Sequence, residues 1–561
     1  MNSKIKSLLI LLATFIVIAI ALSFIQGRMN AIRFNEKLTD TDPLENAPPA
    51  VAFTSVALGG FRGLVADYLW LRSTKMQEQG NYFEMVQLAD WLVKLQPRYT
   101  TSHAFLAWNM AYNISVTFTG FEDRWRWVKR GIELIRDEAL EYNPGDPELF
   151  RQLGWIYQHK LGKDLDDANR FYKTEFAKEM IRLFGDYYGE WDLIEKAPAN
   201  EAKLRAAIGD KDYAEMLKIA ANKYSYASFA EIEEAFRHHA VIYPVEFKRD
   251  LEDIGIAKTV ELCLRARWII LKYRLEPQWL TKLNEKYGAL DWRLPEAHAI
   301  YWAERGKDKW SSERDNEHYF KRLSCDRMCF QSLQAAFETG RLVYVKNADP
   351  DNMYSDIKFL EMTPNVKLVD AANASFAQAL EGYDEFTISG AYGNFLENAI
   401  VTLYLFGEKN KAVEYMKLGR TFPKYGVGAN SRFAGSLDDF VLRSVERDLE
   451  AASYNDAQKT VQSYLINSYF KLAMEDHEQA EGYLDLAQKI YAKYAKFVEG
   501  TERRRGLPPW KQMLKTSLDM TKYMLRERVS PELADNLEKM LPKSGEKFIP
   551  EAGEIKTPQV R

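Results

Sequence analysis

Cysteine, proline and glycine are scarce in this chain of 561 residues, and charge of one sign does not dominate it. Three cysteines, Cys263, Cys325 and Cys329, are too few for a disulfide framework and, being odd in number, cannot all pair within one chain. The 30 glycines and 19 prolines leave long uninterrupted stretches, which with abundant Ala, Leu, Glu and Lys favour packed helices. Opposite charges nearly cancel, 76 basic side chains against 80 acidic ones with a pI near 6.1. The electrostatic footprint of a nucleic-acid-binding surface is therefore missing, and no nucleic-acid partner is expected. No GxxxxGK[ST] phosphate loop, HExxH, paired CxxC or ordered Ser-His-Asp set occurs, so the reading carries no catalytic residue, no metal-ligand set and no cofactor.

One stretch has no charge at all. Ser7 to Gly27, SLLILLATFIVIAIALSFIQG, holds 21 uncharged residues and as a helix spans roughly 30 Å, the thickness of the hydrocarbon core of a bilayer. Two readings fit it. A cleavable signal peptide would use the small pair Ala21 and Ser23, whereas an uncleaved anchor explains why the apolar run continues to Ile25. The anchor is the expectation carried forward, with the membrane engaged through residues 7–27. Lys4 and Lys6 in the short basic head favour export of the body beyond the apolar run, while Arg28, Arg33 and Lys37 on the far side offset them. Thr39 to Ala50, TDTDPLENAPPA, is acidic and Pro-rich and reads as an extended linker.

A periodicity then begins. Phe61 to Gln79 and Tyr82 to Leu95 form a helical pair about the turn Gly80-Asn81-Tyr82, stopped by Pro97. Gly59, Gly60 and Gly63 at its start read as a phosphate loop or as close packing at a helix start, and packing is favoured because no Lys-Ser/Thr follows. His103 to Ser115 opens the next unit, and Phe150, Leu153, Gly154, Tyr157, Ala168 and Tyr172 mark a third after Pro144, Gly145 and Pro147. The small position of each first helix falls on Ser73, then Ala107 34 positions later, then Gly154 after a longer interval of 47, and Arg136 stands where a buried aromatic is expected. This spacing resembles the tetratricopeptide repeat, a helix-turn-helix unit of about 34 residues whose first helix reads W-x2-L-G-x2-Y. The resemblance implies a superhelical stack in which Gly154 lets a second helix approach while Phe150, Leu153 and Tyr157 bury one face.

From Glu175 to Gly288 the repeat signal is lost, although Ala202 to Ile208, Tyr213 to Tyr224 and Phe229 to Ala240 still read as helices. His238 and His239 behind Glu231, Glu233 and Glu234 suggest a metal, but adjacent histidines point to different helix faces, so a partly exposed helix end is the plainer reading. Asp291 to Glu296 precede a helix from Ala297 to Arg305 in which His298, Tyr301 and Trp302 crowd one another. Glu296 and His298 are either an acid-base pair or a capping acid and a packed histidine. Cys325 and Cys329, four apart on one helix face, are buried thiols or, with His318, a metal site. Arg341 to Val345 alternates like a strand before the turn at Asn347 to Asp351.

Repeat-like pairs resume with Asn394 to Phe406, Gly407 and Lys411 to Arg420 around Ala412, ended at Pro423, and with Tyr464, Ser468, Ala480, Leu484 and Ala487 in the unit from Val461. The basic loop Gly500 to Pro509 is a solvated turn or a partner patch. Helices over Trp510 to Arg528 and Pro531 to Leu541 would cap the stack, and Gly545 to Arg561 lacks apolar periodicity, as a disordered tail does.

The expected fold is all-α, a TPR-like α-solenoid of helical hairpins behind one N-terminal transmembrane helix, with a small irregular or β-containing segment near 340–365. Its divisions are a basic N-terminus 1–6, an anchor 7–27, a linker 28–58, N-terminal repeats 59–185, a helical middle region 186–365, C-terminal repeats and cap 366–541 and a tail 542–561. The expected function is a membrane-anchored scaffold, its body on the exported side, that binds a peptide or protein as part of an envelope- or export-associated complex. The rival is a hydrolase or carbohydrate-active enzyme on a helical frame, in which some of the 13 tryptophans and 31 tyrosines stack on sugars. First helices line the concave face of a tetratricopeptide-like stack, which places Trp70, Gln77, Trp108, Tyr112, Arg151, Trp155, Gln158 and His159 in the partner groove. The competing reading makes the tryptophans core, where such rings are usually well buried.

Overall fold

The computed structural model describes residues 3–35, 61–163, 166–184, 191–238, 245–308, 319–345, 359–383, 386–421, 432–446, 454–499 and 507–541. Most of the linker, the turn at Asn347 to Asp351, His239, His318, the arginines at 503–505 and the tail lie outside these residues. The described residues are helical almost throughout. Strand β1 (Arg341–Val345) pairs antiparallel with β2 (Phe359–Thr363), Arg341 opposite Thr363, so the alternating stretch does find a partner.

Helix α1 (Ser3–Asn35) contains Leu11–Met29, with mean hydropathy 1.9 and no buried share, long and apolar enough to cross a membrane. A signal sequence would satisfy the same length and composition. The chain divides into two compact units, Met1–Lys286 with Asp291–Ser332, and Tyr287–Leu290 with Leu333–Arg561.

In the first unit α2 (Phe61–Glu78) and α3 (Tyr82–Leu95) form a hairpin. Gly80 turns the chain at φ +75°, where an L side chain is strained, and the Asn81 amide donates back to the Met76 carbonyl at 2.9 Å, satisfying an acceptor that the helix end would orphan. Ala66, Leu69, Leu88 and Leu92 close the interface, and Ser73 donates across it to the Met85 carbonyl at 3.4 Å.

Helix α4 (Thr100–Trp108) runs on as a π-helical segment, Asn109–Ile114, against α5 (Phe121–Glu133). A Cβ on Gly131 would stand 2.7 Å from the Ala107 carbonyl oxygen, so a side chain there would push the helices apart. Arg136, standing where an aromatic was expected, is 3% exposed. Its guanidinium lies 4.8 Å from the Tyr273 ring centroid and donates to Asp137 at 2.6 Å, so a cation on an aromatic face fills the site.

Helix α6 (Pro147–Trp155) begins on Asp146, whose carboxylate accepts the Leu149 amide at 2.9 Å, with Pro147 in the first turn where its missing N–H costs nothing. Gly154 does allow a close helix approach, but not by α7 (Asn169–Phe184), the next helix in the chain. A Cβ at Gly154 would lie 3.3 Å from the Ala299 carbonyl oxygen and 3.4 Å from the Trp302 Cβ, both in α8 (Pro295–Lys307). Gly306 makes the reciprocal approach, its Cβ position 3.4 Å from the Pro147 carbonyl, and Phe150 stacks on Trp302 at 5.6 Å.

All of α8 except Arg305 is buried, and it forms the centre of this unit. Its charged groups are paired where they lie, while Glu296 Oε2 and Trp302 Nε1 are buried without a hydrogen-bond partner. Glu296 pairs with Lys173 at 2.8 Å, Glu304 takes Lys307 at 2.6 Å and Lys286 at 2.9 Å, and His298 Nε2 meets the Trp292 carbonyl at 2.8 Å. Leu294, not Glu296, occupies the N-cap position. The His298 ring packs on Tyr157 and Phe176 at 5.2 and 5.0 Å. Cys325 and Cys329 are buried free thiols, and burial pushes Cys325 up to about 12, which leaves it unreactive.

In the second unit α9 (Phe386–Leu405) and α10 (Lys409–Thr421) form one hairpin, and α11 (Tyr454–Ala473) and α12 (His477–Glu499) form another. Their turns repeat the first: Gly407 and Glu475 have φ of 77° and 61°, and the following amides, Glu408 and Asp476, reach back five residues to Leu403 and Lys471 at 2.9 and 3.0 Å. Ser468 donates to the Ala480 carbonyl at 2.6 Å, the same twelve-residue separation as Ser73 to Met85. Tyr469, Leu472, Ala473 and Ala480 are covered by Leu533, Ala534 and Leu537 of α14 (Pro531–Met540) and by Leu525, which follows α13 (Trp510–Met524). These hairpins join chain neighbours, whereas α6 with α8 does not, so the described residues are not one unbroken run of chain-adjacent hairpins.

Candidate functional site

The eight residues placed in one groove fall into distinct settings. Trp70 packs on its own hairpin core and meets Tyr99 and Phe105 at 5.9 and 4.9 Å, and Gln77 is half-buried near the end of α2. Arg151 is held by Glu148, its Nε donating at 3.2 Å. Gln158 is 4% exposed and donates to Gln331 at 3.0 Å. The other four residues come together.

They do so through two π-helical segments, Asn109–Ile114 after α4 and Ile156–Gly162 after α6. Widening the turn to an i→i+5 bond shifts the side-chain register, and such segments recur at functional sites. Trp108 stacks on Tyr112 at 5.7 Å and 22°, and Trp155 on His159 at 4.6 Å and 14°. Each pair has i, i+4 spacing and ends inside its π segment. Tyr112 joins them, its hydroxyl 3.3 Å from His159 Nδ1 and its ring 5.7 Å from the imidazole. Trp108 and Trp155 lie 47 positions apart, as do Tyr112 and His159, the interval between Ala107 and Gly154.

Burial, and then the charges of Lys163 and Lys160, push the His159 imidazole below its ordinary value, so it is neutral near pH 7. Burial pushes the Tyr112 phenol up, keeping its proton available for the neutral ring. Lys160 sits 5.3 Å over the Tyr112 ring while its ammonium is bound by Asp166 at 2.5 Å. Trp108 is 39% exposed; Trp155 is half-buried against Ala303, Cys325, Met328 and Cys329. The result is an aromatic face with one ring open to solvent, Trp108, and one packed on the core, Trp155, suited to covering an apolar or planar group. Among the described residues, no group of three or more His, Cys, Asp or Glu is placed to hold a metal ion.

A second feature went unread in the sequence. An open cleft of 820 Å³ in the second unit is lined by Tyr404, Phe406, Lys409, Glu478, Glu481 and Asp485 among others. Burial alone would raise the Asp485 carboxyl, but Lys409, Lys489 and Tyr404 bring it below the usual carboxylate range. Tyr404 contacts Asp438 at 2.8 Å, Asp485 at 3.0 Å and Lys489. At its wall Gly482 lets α12 meet the end of α9, where a Cβ would overlap the Leu405 carbonyl oxygen. No family model matches the chain, and no curated protein or solved structure is significantly similar to it.

Proposed function

We propose that this protein is a membrane-anchored helical-repeat scaffold that holds a peptide or protein partner against the aromatic face of its first unit. The observation that carries this reading is the meeting of Trp108–Tyr112 with Trp155–His159 at equivalent repeat positions. First helices that project matched side chains to one side are the means by which helical repeats bind extended chains, and tryptophan is among the residues most enriched at binding hot spots. The shared turn of three hairpins supports a repeat origin, α1 supports an anchor, and the basic head with Lys4 and Lys6 is the ground for a body on the exported side.

The exposures of the two tryptophans decide the test. Trp155 is part of the core, so Trp155→Ala would lower stability by about 3 kcal/mol or more whatever its role in binding. Trp108→Ala is the informative variant. A photo-crosslinker at Tyr112 in the detergent-extracted full chain identifies the partner. Against that partner Trp108→Ala weakens affinity by about 2 kcal/mol, roughly thirtyfold, with an unchanged melting temperature. Unaltered affinity would reject the aromatic face as the binding surface.

A further inference from the structure

We infer that the outer face of the α2–α3 hairpin rests on the bilayer surface, an inference that depends on α1 being a membrane anchor. Outside α1, fifteen large apolar side chains are exposed among the described residues, and ten of them fall between Leu64 and Phe121, the beginning of the body. Six of the ten belong to this hairpin: Leu64, Val65, Tyr68 and Leu71 on α2, and Phe83 and Trp91 on α3. On α2, Leu64, Tyr68 and Leu71 recur at helical spacing on the side opposite the buried Ala66, Leu69 and Ser73. Arg72 bonds Tyr68 at 3.5 Å and Glu84 at 2.7 Å, which joins the edges of the two helices into one outward surface.

A stack of helical pairs needs a polar outer face at its ends to stay soluble. The α11–α12 hairpin is instead covered by α14 and the residues after α13. The outer face of α2 is apolar over Leu64, Tyr68 and Leu71 before Lys75 and Glu78 end it, and on α3 Phe83 meets Phe118 and Trp127 at 6.2 and 5.8 Å while Trp91 is exposed. The element before it in the chain is the apolar helix α1, with a linker of residues 36–60 between them. Phe15 of α1 stacks on Phe61 at the start of α2 at 5.1 Å, so the hairpin lies beside any membrane that α1 enters.

The composition of the hairpin is compatible with lipid. Residues 61–95 carry four Lys and Arg against four Asp and Glu, a net of zero, and two of the cations are paired within the hairpin, Arg72 with Glu84 and Lys94 with Asp90. Exposed tyrosine and tryptophan, Tyr68 and Trp91, beside an apolar face are the residue types that settle at the membrane–water interface.

The test uses the full chain, whose native thiols are all buried and do not compete for label. Tyr68→Cys, Trp91→Cys and, as a control in the second unit, Lys511→Cys each carry a polarity-sensitive fluorophore in vesicles of phosphatidylcholine and phosphatidylglycerol. The expected result is a blue shift and quenching by lipid-borne nitroxide at positions 68 and 91 but not at 511. Solvent-like emission at 68 and 91 in a chain that floats with the vesicles overturns the inference and leaves the anchor standing. A blue shift that appears equally in detergent and grows with protein concentration assigns the face to a second copy and also overturns it. A chain that does not float overturns the anchor, and this inference with it.

Discussion

The two units use glycine to bring helices together, but at different stages of construction. In the first, Gly154 joins α6 to α8 across 145 positions, and the pair itself is non-local. In the second, α9–α10 and α11–α12 are each made by chain neighbours, and Gly482 of α12 then seats one hairpin against the end of α9. Close approach therefore makes the pair in one unit and stacks finished pairs in the other. The central pair of the first unit also buries ionisable groups, Glu296, His298 and Glu304.

The comparison breaks most readily at the glycines. Gly482→Ala forces a methyl into the Leu405 carbonyl and should lower the stability of the second unit by about 3 kcal/mol, seen as faster hydrogen exchange in α9 and α12. Gly154→Ala meets neighbours at 3.3–3.4 Å, which a small helix shift relieves, and should cost about 1 kcal/mol or less in thermal unfolding. Equal losses would show that the two approaches are equivalent.

Acid separates the units next. Burial holds His298 at about 4, partly offset by the Trp292 carbonyl, against an ordinary value of 6.5. As pH falls the unfolded chain takes up the proton first, so stability is full above pH 6.5 and is lost progressively between pH 6.5 and 4. The total is about 3 kcal/mol for a shift of this size. Denaturant titrations across that range, repeated on His298→Phe, check it: the variant keeps a ring against Tyr157 and Phe176 and should lose this part of the pH dependence.

Two smaller changes sharpen the likeness between hairpins. Ser468→Ala removes a buried 2.6 Å hydrogen bond and should cost about 1 kcal/mol, whereas Ser73→Ala removes one at 3.4 Å and should cost only a few tenths, both read from melting curves. Glu475 holds a left-handed conformation that the other two turns give to glycine, so Glu475→Gly should stabilise the second unit by about 0.5 kcal/mol in urea unfolding.

What the sequence discloses is local. The pair Phe61 to Gln79 and Tyr82 to Leu95 appears with one residue's difference at one end, because a breaker, a turn glycine and helical spacing all lie within the segment. Gly154 could be read as a point of close approach, but its partner could not, since nothing near it names Ala299 or Trp302. Glu296 looked like a cap because Lys173 lies 123 positions away. Repeat register put Trp108, Tyr112, Trp155 and His159 on corresponding positions, and the structure brings these four together. Trp70 holds another register position, three before Ser73 where Trp108 follows Ala107 by one, and its ring meets Tyr99 and Phe105. The cleft was invisible because residues 404–409 and 478–488 meet only in three dimensions.

The separation of α6 from α8 also sets a timetable for synthesis. At about 5–20 residues per second, the ribosome reaches Ala299 roughly 7–30 s after Gly154, and throughout that interval Phe150 and Gly154 lack the helix that covers them. The hairpins of the second unit need no such wait, since each helix is followed within four residues by its mate. A nascent chain halted near residue 290 would carry an unfinished first unit with its central surface bare, the state in which a holding chaperone is most needed.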